Sequence, residues 1–189
     1  MNEWLDEQLI ARTLDGDPAA FDQLVVRYQD RLVHSLEHAL GSREDALDVA
    51  QIAFVQAWRK LESFRGASAF YSWLYRIARN AAVSRKRRNR IQASSLDRLT
   101  ETSGIEPVDD ADGASPDRRL AQNEDVALVQ SALQQLPEDF RQTLVLKEID
   151  GFSYEEIAAI LDIPLGTVRS RISRARQELV DRLRRETRD

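Results

Sequence analysis

Apolar residues recur every three or four positions along most of this chain, which is the spacing of one face of an α-helix. The first such stripe consists of Phe21, Leu24, Val25, Tyr28, Leu32, Leu36 and Leu40. The second consists of Leu47, Ala50, Phe54, Trp58 and Leu61. A third consists of Phe70, Trp73, Leu74, Ile77 and Ala81. No stretch alternates as a β-strand does, so the pattern predicts an all-α fold.

Helix boundaries are marked by residues that cap or break helices. Asp17 and Pro18 supply an N-cap and a proline at the first helical position. Gly41 and Ser42 end that helix, and residues 64–68 read as a loop.

The segment 91–124 differs in composition from the rest of the chain. It is poor in apolar residues, rich in turn formers, and carries 3 Lys/Arg against 8 Asp/Glu. A further apolar stripe follows, made of Val126, Val129, Leu133 and Leu136. We therefore predict two small helical domains, 1–90 and 125–189, joined by a flexible acidic linker at 91–124.

The composition excludes several classes of protein. The chain has no cysteine, so it has no disulfides or thiolate metal sites. No apolar run approaches the roughly 20 residues that span a bilayer, and the acidic start does not resemble a signal peptide. These features predict a cytoplasmic protein without membrane insertion.

Basic residues are concentrated in two places, although the net charge is −5. Residues 76–90 hold seven Lys/Arg and no acid, and residues 169–185 hold seven Arg with only Glu178 and Asp181. Two basic patches on an acidic chain predict two separate contacts with a polyanion.

Residues 153–176 have the pattern of a helix-turn-helix. Ser153 and Glu156 form a capping box at the start of a short helix. Pro164 prevents that helix from continuing, and a second helix is expected from about Gly166. Buried positions at Val168 and Ile172 leave an outward face suited to the major groove. Arg169, Ser170, Ser173 and Arg174 point outward, with Arg171 and Arg176 on the flanks. The residues expected to bind DNA are Thr167, Arg169, Ser170, Arg171, Ser173 and Arg174. The alternative is a solvated arginine-rich surface helix.

Aromatic residues precede the first basic tract. Phe64, Phe70, Tyr71, Trp73 and Tyr75 lie close to Arg65 and Arg76. Rings beside arginines suit unstacked bases, which need a surface to stack on and a cation for the phosphate. The alternative is that Phe70 and Trp73 face the core, and Tyr75 could do either.

These motifs together resemble the extracytoplasmic-function (ECF) sigma factors of bacterial RNA polymerase, in particular the sigma-E-like members. Residues 45–54 are similar to the part of sigma region two that docks on the polymerase clamp. Residues 64–80 are similar to the part that binds the minus-ten element. Residues 136–138, 151–158 and 166–171 resemble region four.

The resemblance implies a role for three sets of residues. The polymerase-binding set is Asp45, Asp48, Gln51 and Phe54. The set that would bind the minus-ten single strand is Arg65, Gly66, Ser68, Phe70, Tyr75, Arg76, Asn80, Arg85, Arg87 and Arg88. The outward face of the second helix would read the minus-thirty-five element, and the acidic linker would thread a positively charged channel of the polymerase.

The resemblance also implies the partners. These are core RNA polymerase, through its clamp and flap regions, promoter DNA, and an anti-sigma factor that could hold the chain at the inner membrane. No catalytic residue, cofactor, metal or small-molecule substrate is expected. Two positions depart from the family pattern. Relatives often have an acid at Ala67, and close relatives can have a bulky aromatic at Ser173.

Two other functions are compatible with parts of the sequence. One is a transcriptional regulator with a C-terminal helix-turn-helix and an N-terminal sensory or dimerising domain, although such a domain has no use for the aromatic and basic tract. The other is a helical protein that binds an acidic partner. The motif His34-Ser35-Leu36-Glu37-His38 matches a zinc-peptidase pattern, but both histidines should lie away from the apolar face, and we interpret the match as chance.

Overall fold

The computed structural model describes residues 4–96 and 126–186, with side chains described for 4–88 and 126–186. Within these ranges the chain is helical and contains no strand, which confirms the predicted all-α class. The N-terminal helices are α1 (Asp6–Leu14), α2 (Pro18–Leu40), α3 (Arg43–Lys60), a 3-10 turn (Leu61–Ser63) and α4 (Phe70–Leu96). The C-terminal helices are α5 (126–134), α6 (Glu138–Glu148), α7 (Tyr154–Leu161) and α8 (Leu165–Glu186).

The predicted caps are present at both ends of α2. The Asp17 carboxylate accepts a hydrogen bond from the Ala19 amide at 3.1 Å, with Pro18 at the first helical position. Gly41 ends the helix with φ +81°, a left-handed conformation that glycine adopts without steric cost. Ser42 then caps α3 by accepting from the Asp45 amide at 3.2 Å. Two long helices are thereby joined through a single tight turn.

The core of the N-terminal module lies between α2, α3 and α4. It contains Leu24, Leu32, Leu36, Val49 and Leu74, each less than 3% exposed. The buried face of α3 also contains Phe54 and a row of small residues, namely Ala46, Ala50, Ala53 and Ala57.

The predicted core stripe of α3 is wrong at two positions. Leu47 is 49% exposed and Trp58 is 45% exposed, although Trp58 keeps an edge-on contact with Phe21 at 5.0 Å between ring centroids. The reason is that α3 turns its alanine row inward, which permits a close approach to α2 and rotates the larger residues outward.

Helix α1 is absent from the sequence prediction. It packs Leu9 and Ile10 against the N-terminal module. It is also tied to α2 by hydrogen bonds from Arg27 and Tyr28 to the Asp6 carboxylate. Its nine residues are fewer than the roughly 11–18 over which helical periodicity is judged.

The C-terminal module is built around α8, which α6 and α7 both contact. Val168, Ile172 and Ala175 form its buried face. Ala175 packs with Leu133, Leu136 and Leu144 in a small second core. The buried face therefore follows the helical spacing predicted from the sequence.

The two modules pack against each other through α2 with α6 and α4 with α7. One continuous core contains residues from both, including Tyr71 and Tyr75 from the first module and Phe152 and Ile157 from the second. The sequence left this arrangement open. Helix α4 also continues beyond the boundary expected at residue 90, and the rest of the predicted linker lies outside the described residues.

Candidate nucleic-acid and polymerase interfaces

The helix-turn-helix has the local structure that its sequence predicts. The Ser153 hydroxyl accepts from the Glu156 amide at 3.1 Å, and the Glu156 carboxylate accepts from the Ser153 amide at 2.9 Å. Hydrogen bonds donated to the Glu156 carboxylate stabilise its charged form, so the pKa of Glu156 is lowered, chiefly by the Ser153 amide. Asp162 ends α7 in a left-handed conformation, and α8 begins directly after Pro164.

The outward face of α8 is accessible. Arg169, Ser170, Ser173 and Arg174 are exposed, whereas Thr167 and Arg171 are half-buried. Arg171 forms an ion pair with Asp139 of α6 at 2.5 Å. The neighbouring Arg176 pairs with Glu148 at 2.6 Å, so two flanking arginines also brace α8 against α6.

The loop between the 3-10 turn and α4 presents polar groups. Arg65, Gly66 and Ser68 are exposed, and Gly66 has φ +68°. Phe64 is half-buried and packs on Trp73 with 5.1 Å between ring centroids. The rings therefore form a framework under the loop.

Phe70 and Tyr75 are buried, at 2% and 3% exposure. Neither ring is accessible to a base in this arrangement, and their role in strand binding stays a prediction. The sequence assigned them by their position beside arginines, and that pattern does not distinguish a stacking surface from a core.

The following part of α4 presents polar and basic groups on its outer side. Arg76, Asn80, Arg87 and Arg88 are exposed. Arg76, Asn80 and Arg87 are spaced by four and seven residues, which places them along one helix face. Such a row can follow a phosphate backbone.

Arg85 lies on a different side of α4, facing α3. Its guanidinium pairs with Asp45 at 2.9 Å and with Asp48. These ion pairs raise the pKa of Arg85, chiefly through the hydrogen bond to Asp48. A residue predicted to bind DNA thus contacts two residues predicted to bind polymerase.

The predicted polymerase-binding residues are divided between surface and core. Gln51 is exposed, Asp45 and Asp48 are half-buried, and Phe54 is 8% exposed in the core. Sequence reasoning missed the exposed apolar neighbours Leu47, Ile52, Val55 and Trp58, whose exposures range from 38% to 49%. Their signal was obscured because apolar residues in an amphipathic helix are assigned to the core by default.

The two histidines of α2 lie a turn apart, with 3.3 Å between their Nε2 atoms. Burial lowers the pKa of His38. Among the described residues, no three His, Cys, Asp or Glu side chains are grouped as metal ligands would be. In the same part of the chain, no helix is long and apolar enough to cross a bilayer.

Comparison with known proteins identifies both modules. Residues 24–91 match the family described as Sigma-70 region 2, and residues 127–179 match Sigma-70, region 4. The chain is 43% identical over 178 residues to the RNA polymerase sigma-H factor of Pseudomonas aeruginosa. The aligned region covers 92% of this chain and 91% of that protein. It is 42% identical over 187 residues to the ECF RNA polymerase sigma-E factor of Escherichia coli K12, covering 95% of each.

Two solved structures have a similar fold. The first, CnrH in complex with the cytosolic domain of CnrY, gives a TM-score of 0.65 at 30% identity and covers 93% of this chain and 95% of that one. The second is the sigma factor RpoE in complex with the anti-sigma factor NepR from Bartonella quintana. It gives a TM-score of 0.68 at 30% identity, and the match covers 87% of this chain and 96% of that one.

Two helical modules, one carrying a helix-turn-helix with an open basic face, define a DNA-binding transcription protein. The chain belongs to the sigma-70 family, in its ECF group, as the sequence predicted. It is a sigma factor, a transcription initiation factor that binds core RNA polymerase and directs it to promoters. Sigma factors are not enzymes.

Proposed function

We propose that this sigma factor recognises promoters through two separate faces. The outward face of α8, with Arg169 and Arg174, reads the minus-thirty-five element in the major groove. The loop 64–69 and the row Arg76, Asn80 and Arg87 on α4 bind the non-template strand at the minus-ten element. The observation that carries this proposal is that each module has its own exposed basic face.

The proposed division of labour follows the domain boundaries. Residues 1–90 bind polymerase and the melted strand, 125–189 bind the upstream duplex, and 91–124 connect them. Extracting a base from the stack costs a few kcal/mol, which a pocket with polar and aromatic walls partly offsets. Tethering makes the second DNA contact effectively intramolecular.

The exposed surface of α3 is the proposed polymerase-binding site. Gln51, Ile52 and Val55 offer adjacent polar and apolar groups. Asp48 would have to share or leave its ion pair with Arg85 to contact the clamp. The second module would bind the flap region.

We also propose that the chain acts in the cytoplasm and is controlled by an anti-sigma factor. The two structural neighbours were solved in complex with such a factor or with a cytosolic domain, which supports this kind of partner.

Transcription from a promoter library by purified core polymerase, with and without the chain, tests the proposal. We expect a defined promoter class to appear only with the chain. Arg169→Ala should cost about 1–3 kcal/mol in promoter binding and relax the preference at one upstream base pair. Arg184→Ala, the same charge change on an exposed residue outside the proposed faces, should leave promoter choice unchanged. If core gains no start sites while the chain alone binds duplex DNA, the chain is a regulator instead.

A further inference from the structure

The two histidines of the chain lie together on α2. Histidine occurs twice in the sequence, and His34 and His38 are four residues apart, on consecutive turns of one helix face. His34 is exposed and His38 is half-buried. Their rings meet edge to face, with 4.5 Å between centroids. Both imidazoles are thus concentrated at one point of the surface, and neither belongs to the faces proposed to bind DNA or polymerase.

The distance between two ring nitrogens matches a metal chelate. The Nε2 atoms of His34 and His38 are 3.3 Å apart. Zinc binds an imidazole nitrogen at about 2.0–2.1 Å, so an ion equally distant from both atoms would see them at an angle of roughly 104–111°. That range includes the tetrahedral angle that zinc adopts in proteins. Two histidines spaced in this way on a helix are also the zinc ligands of the peptidases whose motif the sequence matches.

The His38 ring offers one nitrogen to this point. Its Nδ1 atom is buried and has no hydrogen-bond partner among the described residues. Its Nε2 atom lies against Nε2 of His34, and in the neutral pair one of these nitrogens donates a proton to the other. A metal ion would take the place of that shared proton once the donating ring carries its own proton on Nδ1. Both lone pairs would then bind the ion.

The surroundings favour the form of histidine that binds metals. Burial, and then the neighbouring His34, lower the pKa of His38 below its usual value of 6.5. The ring is therefore neutral at pH 7, as a metal ligand must be. Glu37 and Asp150 are acids whose charge acts on the two rings. The pair also lies at the C-terminal end of α2, where the helix carbonyls favour a cation.

The glutamate of the motif has a different partner. The Glu37 carboxylate accepts a hydrogen bond from Arg43 at 3.0 Å, and Glu37 lies about 100° around the helix from His38. A zinc peptidase uses such a glutamate as its base and holds the metal through a third protein ligand. Among the described residues, no third His, Cys, Asp or Glu is grouped with the pair. The geometry therefore fits a site with two protein ligands and two open tetrahedral positions.

We propose that His34 and His38 form a transition-metal site that binds zinc through both Nε2 atoms, with water in the open positions. Copper(II) also suits imidazole ligands and binds nitrogen sites more tightly than zinc. A bound ion would join two consecutive turns at the end of α2 and stabilise the folded chain according to its occupancy. The site is separate from the DNA and polymerase faces and does not rest on their proposed function.

Titration calorimetry of the full chain with zinc chloride measures the affinity and the stoichiometry, which we expect to be one ion per chain. Since every imidazole resonance comes from this pair, proton NMR should show the signals of both histidines shifting together. Copper(II) is the second probe, and its electron paramagnetic resonance spectrum should show coupling to two nitrogens. Zinc at about ten times its dissociation constant should raise Tm by about 3–6 °C.

His34→Gln and His38→Gln should each weaken zinc binding by about tenfold or more, because the second ligand of a chelate binds at a high effective concentration. Two exposed positions of α2 allow the spacing to be tested in the His38→Gln background. Asp30→His restores a spacing of four residues to His34 and should restore most of the affinity. Gln29→His is the matched control, since it adds the same residue five positions from His34, on another side of the helix.

Three results would overturn the inference. The first is the absence of saturable zinc and copper binding by the parent chain. The second is zinc binding that survives in the double variant His34→Gln/His38→Gln, which would place the ion on carboxylates. The third is equal rescue by Gln29→His and Asp30→His, which would mean that the spacing of the histidines does not determine the affinity. Far-UV circular dichroism verifies that each variant is folded.

Discussion

Asp150, in the loop between α6 and α7, shows how one side chain can make the interface between the modules sensitive to protons. Its carboxylate accepts hydrogen bonds from the Ser35 and Tyr71 hydroxyls of the N-terminal module. Burial raises the pKa of this carboxyl above its usual value, and the hydrogen bonds from Ser35 and Tyr71 offset only part of that effect. The charged or titratable groups that face it are Arg31, His34, Tyr71 and Tyr75. Burial also raises the pKa of both tyrosines, so both hydroxyls stay protonated at physiological pH, and Tyr71 remains a donor to Asp150.

Closure, meaning the packing of the two modules against each other, should therefore strengthen in mild acid. An acid whose pKa is raised binds its proton more tightly in the closed state than in the open state. The closed fraction should rise as the pH falls through the raised pKa, and the gain should be complete below the ordinary value of 3.8. Since the chain has no cysteine, Val26→Cys and Val180→Cys allow two dyes to be attached at exposed positions in different modules. Energy transfer between the dyes, followed from pH 7 downward, measures closure. Asp150→Asn should flatten the curve, and a His34→Gln background removes the nearby imidazole. A falling closed fraction in acid would contradict the expectation.

At the scale of a helix, single residues determine where the helix begins and ends, and glycines at these positions differ in backbone conformation. Gly41 has φ +81°, and a Cβ there would lie 2.3 Å from the Gln134 side-chain oxygen across the interface. Gly166, near the start of α8, has no neighbouring atom within 4 Å of such a Cβ. The same glycine-to-alanine substitution at the two positions therefore separates the effect of a left-handed backbone conformation from that of ordinary helix propensity.

Gly41→Ala should lower the free energy of unfolding by about 1–2 kcal/mol, since an L-residue is strained in the left-handed region. Gly166→Ala should raise it by about 0.5–1 kcal/mol, because alanine is the better helix former. Urea unfolding followed by circular dichroism measures both. Equal effects of the two substitutions would show that backbone conformation is not what selects glycine at position 41.

The sequence predicts helix ends better than helix neighbours. Asp17, Gly41 and Ser153 act locally, so their capping roles follow from the residue and the few that come after it. Leu47 and Trp58 were misplaced because their exposure depends on how closely α2 approaches α3. The Asp150 contact was not predictable, because its partners are 79 to 119 residues away in the chain.

The same limit applies to the candidate site. The outward face of α8 follows from helical spacing: Arg169, Ser170, Ser173 and Arg174 are exposed, whereas Thr167 and Arg171 are half-buried. Phe70 packs on Tyr28 of α2, and Tyr75 packs on Phe152 of the second module. Periodicity within one helix reports neither contact. The sequence therefore shows that an aromatic tract is present, but it does not show which of the rings face solvent.

At the scale of the whole molecule, polymerase should act as the opener. If the two modules bind separate sites on core polymerase, they cannot keep the Asp150 contact at the same time. Adding core polymerase to the dye-labelled chain should lower energy transfer to the level of Asp150→Ala, which lacks this contact. In that variant the additional change should be small. A parent signal that is unaffected by saturating core would mean that the modules bind polymerase while still closed.

The loop from Asp150 to Phe152 is both the entrance to the helix-turn-helix and the anchor of the closed state. A hybrid made by grafting the reading module of another sigma factor onto this N-terminal module would import a foreign loop as well. Such a hybrid would recognise new promoters and would at the same time lose the contact that holds its two modules together. Promoter specificity and the contact between the modules thus depend on the same segment, and changing the first without the second requires keeping this loop.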